Sequence, residues 1–397
     1  MAPRMERSAV GTAVGAFGIV AIIGALALLL NVLGQQSPRL GSGFAEWPGA
    51  VLASPVDAIR WFFGDMTEPQ FYKSEVAAAG LLGGAGLAWW ASRRNKRWSG
   101  APLSYGTGLW PWILTAAALS LLLSNIAFDW TLSGGWQPTF VPFVCVASAL
   151  VLVYGKGWKV CITGAVLGAL TTTPVAMLLI ATVSAPLGLP PVVSNVLAMS
   201  IGAALTFLLA RKLPWLSIPK LVDTPTEPHA HTIPAPSTRS DVVWAARRVL
   251  SDYTETQFFA NELASIGVIL GVSIAFVLNP ALPSYGSNLV PHIIFAQALT
   301  SAVGVVLWRG WYRNGGWAPT YVSLVSVAPA AVLAFNGSWL SIIGGAVLGA
   351  ILAPPIARTI SSRLPKDFHP FIGNTLSMAV STAIILPILG FLSPVVG

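Results

Sequence analysis

With 397 residues, of which 55% are hydrophobic and only 9% charged, and a mean hydropathy of +0.72, the chain lies far from soluble composition, where about a quarter of residues are charged. Apolar stretches near the roughly 20 residues of a membrane-crossing helix recur along it and period-two alternation is not sustained, which predicts an all-α integral membrane protein and excludes a β-barrel. The net charge of +8 is dispersed among short loops rather than gathered in one patch, which argues against nucleic acid as a partner.

In chain order, the pattern predicts about eleven transmembrane helices. The first, 9–33, follows "MAPRMER"; it is longer than a signal-peptide core, lacks an A-x-A cleavage site and reads as a retained helix in an N-terminal segment, 1–34. An extracytoplasmic segment, 35–64, contains "DAIRWFF", the pattern of a helix lying on the membrane surface. Spans near 74–91, 109–128, 138–154, 160–183 and 190–210 make up a first five-helix unit, 65–212. A linker, 213–240, carries six prolines and is expected to be extended; the two histidines of its "HAH" lack further ligands and do not make a metal site. Spans near 262–279, 288–308, 317–335, 339–358 and 370–393 form a second unit, 241–397. Cys145 and Cys161 lie in or beside spans without metal-type spacing.

One topology concentrates the basic residues on one side. With the N-terminus cytoplasmic and the C-terminus extracytoplasmic, only Arg39, Arg60 and Lys73 of the 22 lysines and arginines fall outside, as the positive-inside rule requires. The expected location is a cell membrane, with the chain multi-pass.

The two units resemble each other. "DMTEPQFYKSEVAAAG" from Asp65 recurs as "DYTETQFFANELASIG" from Asp252, with eight of sixteen positions identical. "SGGWQPTFV" at Ser133 matches "NGGWAPTYV" at Asn314, "GAVLGA" occurs at Gly164 and Gly345, and "PVVSNVLAM" at Pro191 matches "PFIGNTLSM" at Pro370. Because each unit has five spans and the linker has none, the second must enter from the opposite side, an inverted 5+5 repeat. Such pairs recur in secondary transporters, where two near-equal halves exchange access to a central site.

The polar residues within this frame are the candidates for function. Asp65 with Glu68, and Asp252 with Glu255, have the spacing of helix caps. Glu75 and Glu262 lie further on, at the edge of an apolar span, and are candidate coupling carboxylates, with an interfacial anchoring role as the alternative. In "GGWxPT", paired glycines and a proline suit a helix restarting inside a cavity, which places Trp136, Thr139, Trp317 and Thr320 beside a solute; a tight interfacial turn is the competing reading. Asn195 and Asn374 are either solute contacts or interhelical hydrogen-bonders, and they converge only if the segments before them dip into the bilayer. His292 and Gln297 have no counterparts in the first unit, which makes them candidates for solute identity or proton coupling.

No nucleotide-binding loop, zinc signature or nucleophile elbow is present, so neither an enzyme nor a cofactor is expected. The expectation is a secondary carrier or facilitative permease whose partners are the lipid bilayer, a small-molecule solute and any coupling ion. The competing classes are a fixed-pore channel, a membrane enzyme acting on lipids, and a non-transporting assembly partner.

Overall fold

A computed structural model of the chain describes residues 2–218, 238–312 and 316–396. The "HAH" motif and most of the proline-rich linker lie outside these residues, as do Asn314 and Gly315. Among the described residues the chain is helical and has no strand.

Seven helices are long and apolar enough to cross a membrane. They are α1 (Ala2–Gln35), α4 (Trp110–Phe128), α6 (Trp158–Leu179), α7 (Pro191–Ala210), α10 (Val290–Leu307), α12 (Trp339–Ser361) and α13 (Phe371–Val396). The other four predicted positions also hold helices, namely α3 (Glu75–Arg93) and the shorter apolar stretches that contain α5 (Val146–Tyr154), α9 (Glu262–Leu278) and α11 (Val327–Ala334). Two of these are short because the backbone breaks within the predicted span. Cys145 (φ −138°, ψ −105°) separates a single turn, Val141–Val144, from α5, and Ser326 (φ −140°, ψ −84°) separates Tyr321–Leu324 from α11.

Helix starts follow capping chemistry at other residues than those read from the sequence. Ser74 caps α3 by accepting from the Ala77 N–H at 3.3 Å, and Asn261 caps α9 by accepting from Leu263 and Ala264 at 2.8 and 3.2 Å. The capping assigned to Asp65, Glu68, Asp252 and Glu255 is therefore corrected. Asp65 is the last residue of α2 (Pro55–Asp65), Asp252 follows directly on α8 (Thr238–Ser251), and all four acids are buried. The "DAIRWFF" stretch is helical within α2, but Trp61 is wholly covered rather than lying on a surface.

α3 and α9 cross at glycines, and the contact is reciprocal. A methyl group on Gly80 would strike the Gly267 carbonyl, and one on Gly267 would strike that of Gly80; one on Gly84 would strike the Leu263 carbonyl and one on Gly271 that of Val76. Small residues let the two backbones touch. The loops before these helices pair the same way: the Gln70 and Gln257 side chains exchange hydrogen bonds of 2.7 and 2.8 Å, while Gln70 also donates to the Tyr253 carbonyl and Gln257 to that of Met66. Around this centre α4, α6 and α7 pack on one side and α10, α12 and α13 on the other, α7 meets α13, and α1 lies along α8 and α10.

Candidate functional site

Each recurring phrase folds into a loop that buries two carboxylates around one cation. In the first, the Lys73 ammonium pairs with Asp65 and, at 2.7 Å, with Glu68, and all three side chains are fully covered. Asp65 also accepts from Asn125 at 2.9 Å and Thr139 at 2.8 Å, and Glu68 from the Trp136 indole at 2.5 Å and the Tyr285 hydroxyl at 3.2 Å. The ammonium lies 3.4 Å from the centre of the Trp61 ring. In the second, Arg248 pairs with Asp252 and Glu255, both at 2.5 Å. Asp252 accepts from Ser301 at 2.5 Å and Thr320 at 3.1 Å, and Glu255 from the Trp317 indole at 2.9 Å. The acids, threonines and tryptophans of the two clusters occupy matching positions of the repeat. The cations do not: Arg248 matches Trp61, and Lys73 matches Ala260.

Between the clusters lies a cavity of about 360 Å³, at the lower end of the usual range for ligand pockets. Its walls come in matched pairs: Phe71 and Phe258, Phe140 and Tyr321, Val144 and Val325, Met199 and Met378. Glu68, Trp136, Asn195, Tyr285, Tyr321, Thr256 and Thr375 add polar groups to a mainly apolar lining. The Asn195 amide makes no hydrogen bond within the protein, and its oxygen is buried. Its counterpart Asn374 donates to the Tyr321 hydroxyl at 3.0 Å. Phe140 stands where Tyr321 would be matched, so no such acceptor faces Asn195.

Of the residues expected at a site from sequence, Trp136 and Asn195 line the cavity. Thr139, Trp317 and Thr320 hold the charge clusters, and Asn374 is tied to the wall through Tyr321. Gln297 is saturated by the Tyr72 hydroxyl and the carbonyls of Gln70 and Leu324, so it joins the loop of the first unit to α10. His292 is not in the lining and stands beside Gly337. Glu75 and Glu262 are also outside the cavity, in the first turns of α3 and α9, each held by an arginine: Arg60 at 2.9 Å and Arg247 at 2.5 Å. Asp65, Glu68, Lys73, Arg248, Asp252 and Glu255 are the groups that the cap reading missed. Four acids repeated at identical positions in a chain this poor in charge were the available signal.

One end of the cavity is closed in depth. Phe258 packs edge-on against Phe371 and against His369, with ring centres 5.8 and 5.6 Å apart; Phe368 stacks on Phe207 at 5.4 Å, and Arg211 makes two hydrogen bonds to Asp367 at 2.6 and 2.7 Å. The Arg211 N–H groups hold Asp367 below the usual carboxylate range. Its contribution to this closure is therefore complete above the pKa of the unfolded chain and is lost as pH falls through the lower folded value. Asp367→Asn should loosen the closure at neutral pH: a cysteine replacing the covered Ala203 is expected to react faster with maleimide, whereas one at exposed Phe391 should react at an unchanged rate.

Among the described residues no group of three or more His, Cys, Asp or Glu is placed to hold a metal ion. Comparison with protein-family models, curated proteins and solved structures gives no match.

Proposed function

We propose that the chain is a secondary carrier or facilitative permease that moves a small solute across a membrane by alternating access between two inverted five-helix repeats. The observation that carries this reading is the central cavity, whose walls are matched residues from the two units rather than side chains of one. Reciprocal contacts at Gly80–Gly267 and Gln70–Gln257 support it, because they are what an approximate twofold axis in the membrane plane produces. On this reading α3 and the three shorter apolar stretches complete eleven spans. The breaks at Cys145 and Ser326 fall where the two units face the solute.

The basic-residue pattern assigns the Arg211–Asp367 end to the cytoplasm. Its counterparts at the opposite end, Gly390 and Gly188, have no side chains with which to close, and Leu386 and Leu189 stand in place of Phe207 and Phe368. On this reading the closed end is the inner one, and the ion pair that holds it has no matched counterpart at the outer end. Transport requires the inner closure to part and the outer one to form, and both outcomes are open to two near-equal halves. The deep position of the charge clusters moves the proposed coupling role from Glu75 and Glu262 to the acids around Lys73 and Arg248.

The test is uptake by proteoliposomes from a mixture of amino acids, amines, sugars and nucleosides, read by mass spectrometry. At least one compound should accumulate above protein-free vesicles. Cysteines at Arg211 and Asp367, joined by a short bifunctional thiol reagent, should lower that uptake tenfold or more. No uptake of any compound, or equal uptake by the cross-linked protein, would contradict the proposal.

A further inference from the structure

The cavity's charge and lining restrict what it can hold. In the cluster that reaches it, Asp65 and Glu68 share one cation, Lys73, so the ionised group retains one negative charge in full burial. Arg60, another cation of the first unit's entry, is engaged by Asp57 and Glu75, both at 2.9 Å. A surplus buried charge is unfavourable and is relieved by a proton or by a counter-charge. Glu68 lies in the cavity wall, and the lining contains no lysine, arginine or histidine. An anionic solute would meet repulsion and no partner.

Two further features point the same way. Seven aromatic residues, among them Phe71, Trp136, Phe140 and Tyr285, line the space, and aromatic faces attract cations at close range. Asn195, nine-tenths or more covered, presents a buried carbonyl oxygen with no donor, and leaving such a group unsatisfied is unfavourable. The Asn374 oxygen also lacks a donor, because Tyr321 accepts from the Asn374 N–H, but Asn374 is not in the lining.

We propose that the solute is a small organic monocation, an ammonium or guanidinium group on an apolar body, whose charge faces Glu68 and the rings and whose N–H donates to Asn195. This rests on the carrier reading and gives it a substrate class. Binding would supply the missing counter-charge and satisfy the Asn195 oxygen in one step.

The probe is benzylammonium, titrated calorimetrically into the purified protein beside benzyl alcohol and benzoate, which keep the ring and change the charge. Benzylammonium should bind at least tenfold more tightly than either. Glu68→Gln should weaken it tenfold or more. Asn195→Leu, which keeps every charge and removes the Asn195 oxygen, should also weaken it severalfold and keeps the test decisive if Glu68→Gln folds poorly. Phe391→Ala should leave binding unchanged. No binding at millimolar concentration, equal binding of the alcohol or benzoate, or unchanged affinity in Asn195→Leu would overturn the assignment. Proteoliposome uptake separates the two levels: a bound cation that is not moved leaves the site standing and removes the carrier, whereas uptake of only neutral solutes removes the cation and leaves the carrier.

Discussion

Lys73→Met is expected to destabilise the protein by about 3–5 kcal/mol, because it leaves Asp65 and Glu68 buried without a cation. Both acid side chains are fully covered. Their remaining donors, Asn125 and Thr139 on Asp65 and Trp136 and Tyr285 on Glu68, are neutral. Arg248→Met should cost a similar amount, for Asp252 and Glu255 stand in the same relation to it. Pairing Lys73→Met with Asp65→Asn should recover part of the loss, because the charge that lacked a partner is removed with it. Thermal unfolding in detergent followed by tryptophan fluorescence measures all three. A midpoint for Lys73→Met close to that of the wild type would show that the cluster is not held by charge.

Gly80→Leu and Gly267→Leu should each cost about 1–3 kcal/mol or more, since the side chain is driven into a carbonyl of the facing helix, which cannot rotate away as a side chain would. The two losses should be nearly equal, because each glycine touches the other's carbonyl. The double variant should cost less than their sum, because α3 and α9 separate once for both. Gly83→Leu and Gly86→Leu, on the same helix with open space around them, should be tolerated. Unequal or additive losses at Gly80 and Gly267 would mean that the crossing is not reciprocal.

The helices were legible because composition and span length dictate them, and the recurring phrases identified both central loops. Chemistry inside those loops was harder to read. Asp65, Glu68, Asp252 and Glu255 had the spacing of caps, but Ser74 and Asn261 do the capping, and nothing local in a sequence tells a cap from a buried ion pair. Comparing the two units drew attention to the acids while hiding their partners, because Lys73 and Arg248 sit at unmatched positions. The opposite held for Glu75 and Glu262. Their partners, Arg60 and Arg247, each precede them by fifteen residues, so that signal was present in the repeat. Asn195 and Asn374 were placed far apart by drawing straight spans. In the structure α7 and α13 begin just before them, at Pro191 and Phe371, and the first turns of both helices line one cavity.

Alternating access is tested most directly by two distances measured in the same protein by pulsed electron spin resonance. Spin labels at Lys212 and Lys366 report the Arg211–Asp367 end, and labels at the matched positions Phe391 and Leu187 report the other; all four sites are exposed. Adding benzylammonium and then varying its gradient across proteoliposomes should lengthen the first distance in a fraction of molecules while shortening the second. Distances that stay fixed at both ends while solute crosses would contradict alternating access and leave a fixed pore.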